Sequence, residues 1–197
     1  NAGDEVREKF VEFRRTIDSL CVKTIEDYIS SLTNLQDKMI PKDGTVHQIT
    51  SNTIRFLDTL MAYRMCLIAI LSDEIGVSRT FARLLASLGQ ALNNKAANYT
   101  DVYLKALFLM NNYNHIHKKL SDSGVLKIVS QQTPDVGTYY QDQVKDRKED
   151  YKASWNKLVG PLKDLEREWR GTAASRGPLS DKDRELVKSA FSVSEVD

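Results

Sequence analysis

From Val6 onward, apolar residues fall at Phe10, Phe13, Ile17, Leu20, Ile25, Tyr28 and Leu32. Every step but one is three or four residues, the spacing that lines up side chains on one face of an α-helix. About twenty-eight residues at 1.5 Å rise make a rod of about 40 Å. A Pro41 to Gly44 turn interrupts the pattern, and a second run then carries Ile49, Phe56, Leu57, Leu60, Met61, Leu67, Ile68 and Leu71 before stopping near Gly76. Thr45 stands three residues before Gln48, the spacing of a capping box, in which the Thr hydroxyl accepts from the Gln backbone amide and the Gln side chain reaches back. Pro41, Gly44, Thr45 and Gln48 are therefore read as a turn and helix cap joining two long rods.

Ser78 is placed to cap a third helix through Phe81, Leu84, Leu85, Leu88 and Leu92, ending in the polar stretch Asn93 to Asn98. Thr100 is placed to cap a fourth, Val102 to Leu120. Tyr103, Leu104, Leu107, Phe108, Leu109 and Met110 make that helix apolar over much of its circumference, which predicts a central position. Gly124 is its natural stop. Beyond a turn at Pro134 and Gly137, residues Tyr139, Tyr140, Val144, Tyr151, Trp155, Leu158 and Leu162 form a sparse stripe on a strongly charged helix, which Pro161 should kink or end. The stretch GTAASRGP reads as a loop, and Ser180 with Asp183 opens a last helix carrying Leu186, Val187 and Phe191. There is no strand pattern and no internal repeat. The expected fold is all-α, an elongated antiparallel bundle of five or six helices. Its first bundle covers about 4–122 and its second about 125–197, incomplete at the C-terminus.

Composition narrows the function. Apolar residues make up 41% of the 197 residues, enough to exclude disorder, and 9 Gly with 4 Pro leave room for few turns. Lys and Arg number 28 against 27 Asp and Glu, so no overall charge drives binding to nucleic acid. Cys21 and Cys66 sit within helical apolar patterns and are read as buried, reduced thiols. No apolar run reaches membrane-spanning length and the first ten residues lack a signal-peptide stretch, so the expected compartment is the cytosol.

Chemistry is sparse. His115 and His117 are the one suggestive metal pair, but positions two apart on a helix diverge by about 200°, so they read as ordinary polar histidines. No nucleophile elbow or P-loop is present, and the Asp43-Gly44-Thr45 string is better explained as a turn and cap than as a phosphatase loop. Neither catalysis nor a cofactor is expected. The charges from Asp142 to Arg170 alternate, eight basic and seven acidic, as on a solvated helix face. One region is unbalanced: between Arg79 and Leu120, Arg79, Arg83, Lys95, Lys105, Lys118 and Lys119 face only Asp101, an excess of five. Two readings stand for it. It is a basic surface for anionic lipid or an acidic partner, or it pairs with acidic helices of the same bundle, such as the first, with Glu5, Glu8, Glu12 and Asp18.

Four strings carry a family resemblance. PKDGTVHQITSNTIRFL, Pro41 to Leu57, resembles a signature segment of the seventy-kilodalton subunit family of the exocyst, the vesicle-tethering complex. YLKALFLMNNYNHIHKKLSDSGVLKIV, Tyr103 to Val129, is similar to a second, most specifically at Asn111, Asn112, Tyr113 and Asn114. YKASW, Tyr151 to Trp155, and LSDKDRELVKSAF, Leu179 to Phe191, follow in the family's order. Glu74 to Asn94 and Gly160 to Pro178 match poorly, and His115 and His117 stand where the family has aromatic or apolar residues. The resemblance implies a rod fragment with no chemistry of its own, acting in tethering secretory vesicles to the plasma membrane before SNARE-mediated fusion. It implies other exocyst subunits and Rho-family small GTPases as partners, and a cytoplasmic protein peripheral at the plasma membrane. The resemblance also implies that phosphoinositide membrane is bound mainly through a C-terminal region beyond this fragment, and the fragment is expected to be monomeric. The alternative is a peripheral membrane module that uses the Arg79 to Lys119 excess directly on phosphoinositides.

Overall fold

The computed structural model describes residues 2–171 together with Asp181, Arg184, Glu185 and Lys188. The expected loop before Ser180 and the helix opened there lie outside the continuous described stretch. Among the described residues seven helices follow in order: α1 Ala2–Thr33, α2 Gln48–Ala62, α3 Arg64–Ile70, α4 Glu74–Ala96, α5 Val102–Ser123, α6 Val125–Val129 and α7 Val136–Gly171. The described residues contain no strand, and the all-α class holds.

The middle of the bundle is α4 and α5. Helix α4 packs against α1, α2, α3, α5 and α6, while α7 runs back along α5. Phe81, Leu84, Leu88 and Leu92 of α4 meet Phe108, Leu109, Tyr113 and Ile116 of α5 in a core sealed from solvent. The apolar circumference of 102–120 is thus used on several sides at once. Helix α1 contributes only its second half: Ile25, Ile29 and Leu32 are buried, and Tyr28 packs at a tilt against Phe56 with ring centroids 4.5 Å apart while its hydroxyl meets that of Thr53 at 3.0 Å.

Several local expectations are corrected. The second rod is two helices and does not stop at Gly76, which lies in the first turn of α4. Ser72 takes a φ of +77°, Asp73 is extended, and the Asp73 Oδ1 accepts from the Gly76 amide at 2.6 Å. Asp73 therefore caps α4. Ser78 instead donates its hydroxyl to the Ile128 carbonyl at 2.7 Å, a tertiary bond that removes it from any capping role. Asp101 rather than Thr100 caps α5, accepting from Tyr103 and Leu104 amides at 2.7 and 3.2 Å. Gly124 ends α5 in the left-handed region at φ +76°, as its residue type predicts. Helix α7 runs through Pro161 to Gly171, so of the two expected outcomes Pro161 does not end the helix. Cys66 is exposed and Cys21 half-buried, both free, so neither is the sealed thiol expected.

Candidate functional site

The connection from Asn34 to His47 has no helix of its own, and several of its polar groups are met from α4, α5 and the turn between them. The Lys95 ammonium, 2% exposed, donates to the Asp37 and Met39 carbonyls at 2.9 Å each and to Asp37 Oδ2 at 3.2 Å. A buried ammonium is tolerated only when its protons are taken up in this way. The Tyr99 hydroxyl donates to the Pro41 carbonyl. Burial, and then the Asp43 charge, push the Tyr99 phenol above its ordinary pKa, so it stays a donor.

Farther along, Asn111 Nδ2 donates to the Gly44 carbonyl at 2.9 Å. Asn112 Oδ1 accepts from the His47 amide at 3.0 Å and from the Thr50 hydroxyl at 2.6 Å, while its Nδ2 donates to Phe108 O at 2.8 Å. Gly44 turns the chain at φ +67° with Leu104 and Leu107 against it, so a Cβ there would be strained and crowded. The two strings with the most specific resemblance are opposite halves of one clasp.

Within the clasp the expected capping box does not form. Asp43 Oδ1 takes both the Thr45 hydroxyl, at 2.8 Å, and its amide, at 3.2 Å, and this holds the Asp43 carboxyl below its ordinary pKa. The cap of α2 is His47, extended at φ −75° and ψ 147°, with Nδ1 accepting from the Ile49 amide at 3.1 Å. Burial, and then the nearby Lys95 charge, lower the His47 pKa below its ordinary value. Pro41 and Gly44 are therefore turn residues, as Gly44's amide to Pro41 O at 3.4 Å also indicates. Thr45 serves Asp43, and Gln48 is an exposed first helical residue.

The six cations do not form one surface. Lys95 is buried in the clasp. Arg83 makes a two-pronged pair with Glu26 of α1, at 2.6 Å on each oxygen, and that bond lowers the Glu26 pKa while raising that of Arg83. The internal-pairing reading thus applies to Arg83, though with an acid the sequence did not single out. Arg79 is exposed on α4, and Lys105, Lys118 and Lys119 lie on α5, the last two exposed. Lys118 and Lys119 lie one turn on from His115, whose pKa is lowered by burial first and by Lys119 and Lys118 next. His117 meets Gln141 across the α5–α7 seam at 3.2 Å.

A groove of about 890 Å³ opens between α4 and the α6–α7 turn. Arg79 and Arg83 line it together with Leu85, Val136, Tyr139 and Tyr140. Burial pushes the Tyr113 phenol behind it to about 12 and raises Tyr140 as well, so both stay protonated, and the Tyr113 hydroxyl accepts from Asn93 Nδ2 at 3.1 Å. Among the described residues no group of His, Cys, Asp and Glu is arranged to hold a metal ion.

Sequence reasoning missed Asp37, His47, Tyr99 and the buried role of Lys95. Only the two family strings, Pro41 to Leu57 and Asn111 to Asn114, carried a signal, and they came without a structural reason.

The family model for the C-terminal part of the Exo70 exocyst complex protein matches residues 1–193. The chain is similar to human "Exocyst complex component 7", 30% identical over 195 residues, covering 89% of this chain and 26% of that protein. It is 26% identical to the Drosophila melanogaster protein of the same name over 215 residues, covering 94% of this chain and 31% of the relative. Over 126 residues it is 24% identical to "Exocyst complex component EXO70A1" of Arabidopsis thaliana. The chain thus spans about a quarter to a third of the length of the animal relatives it matches.

Proposed function

Because the chain belongs to the family of Exo70 exocyst complex proteins, within their C-terminal part, we propose that it is a structural segment of a vesicle-tethering subunit and performs no chemistry of its own. The observation that carries this reading is the family match over nearly the whole chain. The clasp supports it: a tether must hold distance and angle, and the 34–47 connection is pinned to α4 and α5 by hydrogen bonds instead of being left free. Its partners are other exocyst subunits. Rho-family GTPases and phosphoinositide membrane act on the same protein, which works in the cytoplasm and peripherally at the plasma membrane. No helix among the described residues is long and apolar enough to cross a membrane.

The basic-face alternative is weakened by the buried Lys95 and the Glu26-bound Arg83, which remove two of its six cations from direct lipid contact. What remains predicts at most weak, salt-sensitive lipid binding.

Purified individual exocyst subunits, each presented to the tagged chain, test the proposal. Retention of at least one subunit at physiological salt is expected. Failure of all of them, together with tight retention on phosphoinositide vesicles, would replace the tethering reading with the membrane one.

A further inference from the structure

We propose that His47 is a proton-operated latch: neutral, its ring ties the 34–47 connection to α2, and protonated, it releases that tie. Nδ1 accepts from the Ile49 amide at 3.1 Å, so the proton of the neutral ring sits on Nε2, and the ring donates from there to the Met39 carbonyl. One side chain thus bridges the connection and the first turn of α2, next to the bond from the His47 amide to Asn112 Oδ1 at 3.0 Å. A second proton undoes the bridge. It turns Nδ1 from acceptor into donor, so that the ring meets the Ile49 N–H with an N–H of its own.

The surroundings make a charge on the ring costly. From α4 the ring is faced by the Lys95 ammonium, which three hydrogen bonds hold in place. From α5 come the uncharged Phe108, edge-on with ring centroids 6.4 Å apart, and Asn112. Asp37, on the connection itself, is the acid that acts on the ring, and its carboxylate is already taken by Lys95 at 3.2 Å and the Met39 amide at 2.8 Å. Burial first and Lys95 next hold the His47 pKa below its ordinary 6.5, against the pull of the Met39 carbonyl and Asp37. The neighbouring acids of the clasp keep their charge over the same range: hydrogen bonds hold Asp37 and Asp43 below their ordinary values, and burial holds the Tyr99 phenol above its own. Between about pH 7 and pH 5, His47 is therefore the clasp residue that changes charge. Because folding lowers its pKa, the latch is closed above the ordinary value and loosens as pH falls below it. The loosening is local, since the α4–α5 core is apolar and sealed, and it frees the connection that sets how α1 sits on the bundle.

Amide hydrogen exchange on the full chain tests this, at about pH 7 and about pH 5.5 with the intrinsic rates divided out. Exchange across residues 36–50 is expected to quicken about threefold, against a ceiling of about tenfold for one proton at one unit below the ordinary pKa. Amides of the α4 and α5 core, 84–92 and 108–116, should keep their protection. His47→Asn, which caps without titrating, should remove the pH response, and His115→Asn should leave it intact. Without any variant, nitrogen NMR of the His47 imidazole at neutral pH should show the Nε2–H form. No quickening, quickening of the core amides in step with the connection, the same response in His47→Asn, or an Nδ1–H ring would each overturn the proposal. It rests on the clasp alone, so the outcome of the subunit-binding test leaves it untouched.

Discussion

Asn112→Ala is the sharpest probe of the clasp. The Asn112 side chain is fully buried, and its Oδ1 is the acceptor for the His47 amide and the Thr50 hydroxyl. Alanine leaves both donors without a partner, and each buried donor left unsatisfied costs about 1–3 kcal/mol. The Thr50 hydroxyl recovers part of its share by turning toward the Val46 or His47 carbonyl, one turn back at the entry to α2. The bond from Nδ2 to Phe108 O adds little, because the α5 ladder already uses that carbonyl. The expected loss is about 3 kcal/mol. Asn111 is the internal control: its Nδ2 bonds the Gly44 carbonyl at a half-buried position, where water can replace it, so Asn111→Ala should cost only about 1 kcal/mol. Urea unfolding followed by far-UV circular dichroism measures both. A Thr50→Val and Asn112→Ala cycle should show coupling of about 1 kcal/mol. If Asn112→Ala were no more damaging than Asn111→Ala, the clasp would not be held by its buried amide and the reasoning would fail.

Glycines separate crowding from helix propensity. A Cβ on Gly76 would lie 2.5 Å from Leu71 O, whereas one on Gly89, within the same helix, meets nothing within 4 Å; Gly76→Ala should therefore destabilise by about 2 kcal/mol or more and Gly89→Ala stabilise by about 0.5–1 kcal/mol, as read by thermal melting. The Glu26–Arg83 pair is half exposed and contributes under about 1 kcal/mol. Arg83 holds the Glu26 pKa down, so that contribution is present above the ordinary value of 4.5 and is lost as pH falls through the lower folded value. Glu26→Gln should consequently cost stability at neutral pH and nothing in strong acid; a penalty that persists in acid would contradict this. The fold keeps His47 neutral, with its pKa below 6.5, so its share of stability is complete above that value and drains away as pH falls below it. His47→Asn keeps a side-chain cap that does not titrate and should flatten the profile between about pH 7 and pH 5. His115 contributes with the same sign, so the slope shrinks without vanishing.

What was legible in the sequence follows from what each signal physically reports. Long helices were legible because a 3.6-residue stripe is the trace that burial leaves, and 102–120 proved central because its apolar positions cover much of its circumference. N-terminal caps were not legible, because Ser, Thr, Asp and Asn crowd every helix start and the winner is chosen by partners elsewhere. Asp43 captures Thr45, and the Ile128 carbonyl captures Ser78. Lys95 looked like surface for the same reason: nothing local says that two carbonyls and a carboxylate lie some sixty residues back along the chain, waiting for its ammonium. Periodicity also reports a face without saying what covers it, so the α1 stripe read as one continuous rod although only its second half is packed. The family strings reported neither burial nor partners, yet they marked both halves of the clasp. A hydrogen-bond arrangement binding Gly44 and His47 to Asn111 and Asn112 ties both strings to one geometry, since a change in either leaves buried polar groups of the other unmet. The signature is thus a mechanical constraint: it fixes where the 34–47 connection lies against α4 and α5, and with it how α1 sits on the bundle.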